Sequence, residues 1–414
     1  MSGGSPWPGI SSLPGVERIR EESVIIGAGI HGVSTALALA SRGRRSLILE
    51  AAASPFQGAS VRNEGKLHLG FVYALDRSGE TTRAMVEGSL AFAPLIERWC
   101  GPVDWESMRS DEFGYVVMGN GLVDPDQAEA HYESVLAEIE KVAVSLGSNY
   151  AGVDLGDAAI RRHNGVFPGM ADGHSNCWFE TPERAIDPRV LATRIVDAAA
   201  DEPLIEIRSG HRVVQAERLE SGFALEVETG SGRCAVETEN VVNCAWDGRS
   251  ALDQMVVEDL PAPNFRVKHH VIVRGGDTTG IVPATLAQGP FGDLVLWPND
   301  DVYISWYPVA RTHFGDRPEG DLRPDRRLAD QVHEVIQGMF PALAGFSLAD
   351  YGPCFIVADG QTDINDPASR LHTRVGAEHS EFQGWYSIRS TKLTTAPLAA
   401  ERCAAAITGI GAEL

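Results

Sequence analysis

Four windows of this sequence hold residue types whose spacing could support chemistry. The first is Gly27-Ala28-Gly29-Ile30-His31-Gly32, which follows the apolar run Val24 to Ile26. A helix-like segment, Val33 to Ser41, comes next, then Gly43 as its stop, then the apolar strand Leu47-Ile48-Leu49-Glu50. Strand, glycine turn, helix and strand in that order are the context that gives a G-x-G-x-x-G its meaning. Gly27 permits the sharp turn, Gly29 lets the backbone approach a pyrophosphate, and Gly32 lets helix and strand pack closely. Ile30 and His31 are assigned to the cofactor, just before a helix whose N-terminal N–H groups and positive dipole end suit phosphates. The Glu50 carboxylate can accept hydrogen bonds from ribose hydroxyls and would repel a 2′-phosphate, so FAD or NAD is expected and NADP is not. A chance glycine-rich unit would leave Glu50 unexplained.

The second window is Gln57-Gly58-Ala59-Ser60-Val61-Arg62-Asn63-Glu64-Gly65-Lys66-Leu67-His68-Leu69-Gly70-Phe71-Val72-Tyr73. It starts as a polar loop of small residues, is expected to end in an apolar strand, and would run beside a cofactor held by the first window. The third, Val241-Val242-Asn243-Cys244-Ala245-Trp246, reads as a buried strand. The fourth, Gly384 to Leu398, passes from an aromatic strand through Arg389-Ser390-Thr391-Lys392-Leu393-Thr394 into a helix from Pro397 to Ile407. A lysine near a helix N-terminus stabilises negative charge such as that of a reduced flavin. Arg389, Arg62 and Arg311 are candidates for clamping a substrate carboxylate or phosphate in bidentate fashion.

Lysine is scarce. Only four of the 35 basic residues are lysines (Lys66, Lys141, Lys268 and Lys392). Where arginine has replaced most solvated lysines, a remaining lysine is one whose compact ammonium is needed. Lys268 lies in Lys268-His269-His270, where strand alternation puts Lys268 and His270 on one face and His269 on the other; Lys268 is assigned to the substrate. Neighbouring strand residues point apart, so this histidine pair does not suggest a metal, and none is expected.

In the order dinucleotide turn, acidic strand end, Gly-Ala-Ser-x-Arg-Asn and Leu-His-x-Gly-x-x-Tyr, the chain resembles the D-amino-acid-oxidase-type FAD-dependent oxidoreductase superfamily. Within it, the second window is most similar to the L-2-hydroxyglutarate dehydrogenases and the FAD-dependent glycerol-3-phosphate dehydrogenases. The resemblance implies non-covalent FAD, with the loop bearing Ser60, Arg62, Asn63 and Lys66 along the isoalloxazine ring and His68 close to the reacting centre. It also implies that Ala245 ends a strand near the cofactor and that Thr391, Lys392, Leu393 and Thr394 hold the flavin pyrimidine. Lys66, Trp246 and the Trp297–Trp306 strand pair depart from these relatives, and Trp246 stands where they have a glycine.

Composition bounds the rest. A chain of 414 residues, 43% hydrophobic and 22% charged, is ordinary for a globular protein of two domains. A formal charge of −22 argues against a nucleic-acid or anionic-membrane surface. No uncharged run reaches transmembrane length, residues 1–16 read as a disordered lead-in, not a signal peptide, and six unpaired cysteines suit a cytoplasmic protein. The expected fold class is α/β (α+β overall): a Rossmann-type FAD-binding domain (17–105, 165–260 and 352–414) with a discontinuous antiparallel-sheet substrate domain (106–164 and 261–351).

These residues and the resemblance together suggest hydride removal from a CH–OH carbon of a small polar, anionic substrate onto flavin N5. His68 would be the base and Lys392 and Arg389 its catalytic companions, with oxygen or another acceptor taking the electrons. A CH–NH donor, as in an amine or amino-acid oxidase, is the alternative, since amines need no strong base. An NAD-dependent dehydrogenase explains the first window alone. An inactive, cofactor-retaining interaction protein would be expected to lack His68 or Lys392.

Overall fold

Val24, Ile25 and Ile26 are all buried, and an unbroken apolar run of this kind belongs to a strand covered on both faces. In the computed structural model, which describes residue 10 and residues 17–258, 260, 262–289, 291–374 and 379–412, this run ends the strand Glu17–Ile26. The strand pairs in parallel with Ser46–Glu50 on one side and Gly232–Asn243 on the other. Ile205–Ser209 extends the sheet beyond Ser46–Glu50. The far edge of Gly232–Asn243 is divided. Its first part continues antiparallel into Phe223–Thr229 and Arg212–Arg218, while Val241 to Asn243 pair in parallel with Trp385 to Ser387. The third and fourth sequence windows thus end side by side. Of the expected lead-in, all but Ile10 lies outside the described residues; Ile10 is buried.

The helix Ile30–Ala40 starts three residues earlier than the sequence suggests, because Gly32 sits in its first turn. A Cβ on Gly32 would fall 1.9 Å from the Gly27 carbonyl oxygen. The second window also differs from expectation. Only Lys66–Leu67 is extended, and Phe71–Tyr73 is a 3-10 turn. Gly70 causes the break: it takes φ +112°, and a Cβ there would lie 3.0 Å from the Thr82 side chain.

The second sheet has nine strands. Its long central strand, Pro263–Arg274, pairs antiparallel with Ser347–Asp359 on one edge and with Arg311–Gly315 and Val302–Ile304 on the other. Asp293–Leu296 and Ala284–Ala287 follow, then Gly114–Met118, Ser175–Glu180 and Arg161–Asn164. The boundaries drawn from sequence at 164/165 and 351/352 therefore cut through this sheet. Ser175–Glu180 pairs with Gly114–Met118, and Ser347–Asp359 lies along the central strand. A strand's own sequence carries its periodicity but not its partner. The helix Arg326–Met339 covers the sheet with Ala329, Val332, Ile336 and Met339. None of the described helices is long and apolar enough to cross a membrane.

The C-terminal helix, Ala396–Thr408, packs on Ile30–Ala40, and a buried ion pair fixes the two. Arg42 Nη2 and Nη1 lie 2.6 and 3.1 Å from the Glu401 carboxylate, whose side chain is fully buried. Removing one partner leaves a buried charge uncompensated. Glu401→Ala is expected to lower unfolding free energy in urea by about 3–5 kcal/mol, and the double change Arg42→Met with Glu401→Leu to lower it much less.

Candidate active site

Gly27 takes φ +98°, and a Cβ there would lie 2.8 Å from the Cys244 carbonyl oxygen, so only glycine makes this turn without strain. Gly29 precedes the helix and leaves it without a side-chain cap. A Cβ on Gly29 would fall 2.9 Å from Ser60 Oγ, the atom that accepts the Ile30 N–H at 3.0 Å. The Glu50 carboxylate accepts the Ala28 and Ala52 N–H groups at 2.6 and 2.7 Å. A carboxylate has about four acceptor sites, so capacity remains for ribose hydroxyls. His31 Nε2 is buried without a hydrogen-bond partner among the described residues, and burial, with help from Arg249, lowers its imidazole to about 4. Gly29, His31 and Glu50 line one cavity of about 700 Å³, within the roughly 300–1,000 Å³ usual for ligand sites. A helix start whose N-cap residue is a glycine, a carboxylate with spare acceptors and an orphaned neutral imidazole fit the pyrophosphate and ribose of the expected FAD.

The same cavity continues past Ser60, Arg62 and Asn63 to Glu64, Lys66 and His68. Asn63 shapes the loop itself: its amide donates to the Ala59 and Ser60 carbonyls and accepts from Gly65 N–H. The strand Lys66–Leu67 pairs with Arg184–Ala185. On its other side Thr394 Oγ1 accepts the His68 N–H at 2.8 Å and donates to the Lys66 carbonyl at 3.1 Å. Ser89 Oγ donates to the His68 carbonyl at 2.6 Å. The His68 backbone is therefore held from both ends of the chain.

Around His68 the side chains form a buried charged cluster. Lys392 Nζ lies 3.1 Å from His68 Nε2. An ammonium has donors only, so Nε2 accepts and the ring proton sits on Nδ1, 3.6 Å from Glu183 Oε1. Burial, then the ammonium groups of Lys392 and Lys66, lower His68 well below 6.5; it is neutral at neutral pH. Burial likewise lowers Lys392 and raises Glu183. Glu183 accepts from Tyr115 Oη and from the Leu69 N–H at 2.7 Å. Lys66 Nζ donates to Asp293 Oδ1 at 2.5 Å and to Thr285 Oγ1. Burial works to raise the Asp293 carboxyl, but Lys66 and Lys268 outweigh it and hold it below its ordinary value. Lys268 Nζ lies over the Tyr307 ring, 4.7 Å from its centre.

Three of the four lysines, Lys66, Lys268 and Lys392, line the cavity, while Lys141 is exposed. Ile30, Ala245, Thr391 and Leu393 line it as well. Arg62 is at its wall, donating to the Pro353 carbonyl at 3.0 Å. Gly32 and Thr394 are not in the lining; they act through packing and through the backbone of His68. Arg389 and Arg311 stand apart from the cavity. Arg389 pairs with Asp359 at 2.8 Å and Arg311 pairs with Asp363. Their carboxylate partners come from the end of Ser347–Asp359 and the segment after it, a neighbourhood that chain order does not reveal. Trp246 does stand at a glycine-like position: it takes φ +51°, a conformation costing a non-glycine residue about 1–2 kcal/mol. Its Nε1 donates to the Phe355 carbonyl at 2.8 Å, offsetting that strain.

Sequence reasoning passed over Glu64, Glu183, Arg374 and Tyr307. Glu64 lines the cavity with Lys66 and His68, but Gly65 between them takes φ +72°, so strand alternation does not mark Glu64. Arg374 reaches the cavity wall and donates to Thr391 Oγ1 at 2.8 Å, and no local pattern marks it. Among the described residues no group of three or more His, Cys, Asp or Glu is placed to hold a metal. His269 faces Thr312 and His270 faces Asp350.

A family model described as "DAO: FAD dependent oxidoreductase" matches residues 22–406. One curated relative, a tRNA 5-methylaminomethyl-2-thiouridine biosynthesis bifunctional protein from Polaromonas sp., is 47% identical over 60 residues. That match spans 14% of this chain and only 9% of the relative. Among solved structures, an L-amino acid deaminase from Proteus myxofaciens superposes with TM-score 0.68 at 16% identity, over 96% of this chain and 93% of its own. Glycine oxidase from Geobacillus kaustophilus gives 0.69 at 15% identity, over 95% and 96%. FAD-bound L-alpha-glycerophosphate oxidase from Mycoplasma pneumoniae gives 0.65 at 13%, over 94% and 95%. Gly29→Val is expected to yield a folded, colourless protein with an unchanged far-ultraviolet circular dichroism spectrum, whereas the unaltered protein purifies yellow and releases FAD on heating.

Proposed function

Since this chain belongs to the DAO family of FAD-dependent oxidoreductases, we propose that it oxidises a CH–OH carbon of a small anionic substrate, with His68 as the base. When bound, the flavin supplies the hydride acceptor, and oxygen or another acceptor later takes the electrons. The observation that carries the reading is a neutral, buried imidazole at the cavity wall with its Nε2 turned to a lysine, 3.1 Å away. Hydride loss from an alcohol requires the hydroxyl proton to leave at nearly the same time, because a protonated ketone is a poor product. A positioned imidazole serves that need. His68 Nε2 takes the proton as the ammonium of Lys392 swings aside. Glu64, 3.8 Å from Nε2, then offsets the imidazolium charge, and Glu183 lies 3.6 Å from Nδ1.

The charge balance at this end of the cavity supports an anionic substrate. Lys66, Lys268, Arg374 and Lys392 are met by the carboxylates of Glu64 and Asp293, while burial favours the neutral form of Glu183. Cations are in excess. Lys268 and Arg374 are the residues to hold a carboxylate, replacing Arg389 and Arg311, and Lys392 is the residue to face a reduced flavin's negative charge.

A second reading, a CH–NH donor, draws on the weak basicity that burial gives His68, since an amine can shed its proton to solvent before binding. The described neighbours include both kinds: an amino acid deaminase, a glycine oxidase and a glycerophosphate oxidase. The excess of cations favours the alcohol, because it would admit an amine only after that proton is lost.

Activity should require neutral His68 and so be lost as pH falls through its pKa. Because burial holds that pKa well below 6.5, stopped-flow flavin bleaching by a hydroxy acid is expected to stay level from neutral pH past 6.5 and to fall only below it. His68→Gln should be at least about 100-fold slower, the low end for losing a general base, and lack the acid limb. A rate within a few-fold of the unaltered enzyme, or bleaching by amines alone, would transfer the reading to the amine donor.

A further inference from the structure

Glu64 differs from every other carboxylate of the cluster. Asp293 accepts from Lys66 and Thr285, and Glu183 accepts from Tyr115 and the Leu69 N–H. Glu64 lines the cavity with its side chain only 15% exposed, yet among the described residues no donor reaches its oxygens. The nearest charged partner is His68 Nε2 at 3.8 Å, beyond hydrogen-bond distance. Burial works to raise its carboxyl, but Lys268, together with Lys392, outweighs that and holds it below its ordinary value. A half-buried carboxylate that meets no protein donor keeps its acceptor sites open to a ligand. It lines the cavity beside His68, Lys268 and Lys392.

We infer that Glu64 is the specificity-determining acceptor of this site: it takes a hydrogen bond from a second substrate hydroxyl, on the carbon next to the one oxidised. The substrate class is then a small vicinal-hydroxy acid, with its carboxylate toward Lys268 and Arg374. The inference rests on the CH–OH reading for the identity of the first hydroxyl. That hydroxyl has a single proton, which His68 Nε2 receives, so it cannot also satisfy Glu64. Two acceptors 3.8 Å apart suit hydroxyls on adjacent carbons. An ammonium would bring a further positive charge beside Lys268, Lys392 and Arg374, whereas a hydroxyl donates a strong charge-assisted hydrogen bond and brings none.

The test uses FAD-loaded enzyme and two matched pairs of probes, glycerate with lactate and serine with alanine, each pair differing by one hydroxyl. Dissociation constants are read from the perturbation of the flavin absorption spectrum. Glycerate is expected to bind about tenfold or more tightly than lactate, the low end for a hydrogen bond to a charged group. In Glu64→Ala the ratio should fall to about one. In Glu64→Gln, which keeps the volume and guards against a folding artefact, it should fall part of the way. Using the ratio cancels the general gain in anion affinity when a negative charge is removed. A glycerate-to-lactate ratio near one in the unaltered enzyme, a ratio unchanged in Glu64→Ala, or failure of glycerate to bind overturns the assignment. If only serine and alanine bleach the flavin but serine keeps a Glu64-dependent advantage, the CH–OH reading fails and the role of Glu64 stands. If glycerate and lactate bleach it equally well and bind alike, the reading stands and the role of Glu64 fails.

Discussion

The hydroxyl of Thr394 is the smallest group on which the site depends. It accepts the His68 N–H and donates to the Lys66 carbonyl, and it is fully buried. Through this one side chain the last loop of the protein holds the short strand that carries Lys66 and His68. The helix that begins just after it, Ala396–Thr408, is tied in turn to the dinucleotide helix by the buried Arg42–Glu401 pair. Asn243 and Ser387, neighbours in the first sheet, bring the remaining windows alongside. The cofactor turn, the imidazole and Lys392 therefore sit on one packed unit with little freedom to move separately. Such preorganisation lets buried dipoles and charges act in a reaction without first rearranging.

The second dependence is electrostatic. Taking an ion out of water costs several kcal/mol even after relaxation, and this site buries several. Lys66 comes from the segment beside the first sheet, while its partners Asp293 and Thr285 belong to the second. Lys268 enters from the central strand of the second sheet. Lys66 thus finds its buried carboxylate partner, Asp293, on the second sheet. Lysine suits these positions better than arginine, since a compact ammonium fits among close oxygens and its proton affinity responds to burial. Burial does lower Lys392. The scarcity of lysine elsewhere in the chain is consistent with this selection by chemistry.

The parts of this architecture that follow from local physics were legible in the sequence. The amphipathic helix Pro125–Leu146, opened by a capping box at Asp124 and Gln127, buries Val135, Ile139 and Val142 at helical spacing. Asp187 caps the helix Pro188–Asp201 through the Arg189 N–H. The glycines at 27, 29 and 32 each stand where a Cβ would collide with an oxygen atom. What was not legible depends on contacts between distant segments. The arginines at 311 and 389 looked available because the carboxylates that claim them, Asp363 and Asp359, come together with them only in the folded chain. Arg374 carries no pattern of its own. Glu64 was in view, but its significance lies in lacking a donor, and an absence of partners cannot be read from a string of residues. The Phe71–Tyr73 turn was mistaken for strand because a single glycine, Gly70, reverses the path of an otherwise β-prone run.

The central claim is that the proton and the hydride leave the same carbon and its hydroxyl together, with His68 receiving the proton. Isotope effects on a single turnover measure this most directly. Anaerobic flavin reduction would be followed with a hydroxy acid carrying hydrogen or deuterium on the reacting carbon, in light and in heavy water. The account predicts that deuterium on carbon and deuterium in solvent each slow the reduction, and that both effects persist when combined. Slowing by deuterium on carbon with no response to heavy water would contradict it, because the proton would then have left before the step in which the flavin is reduced.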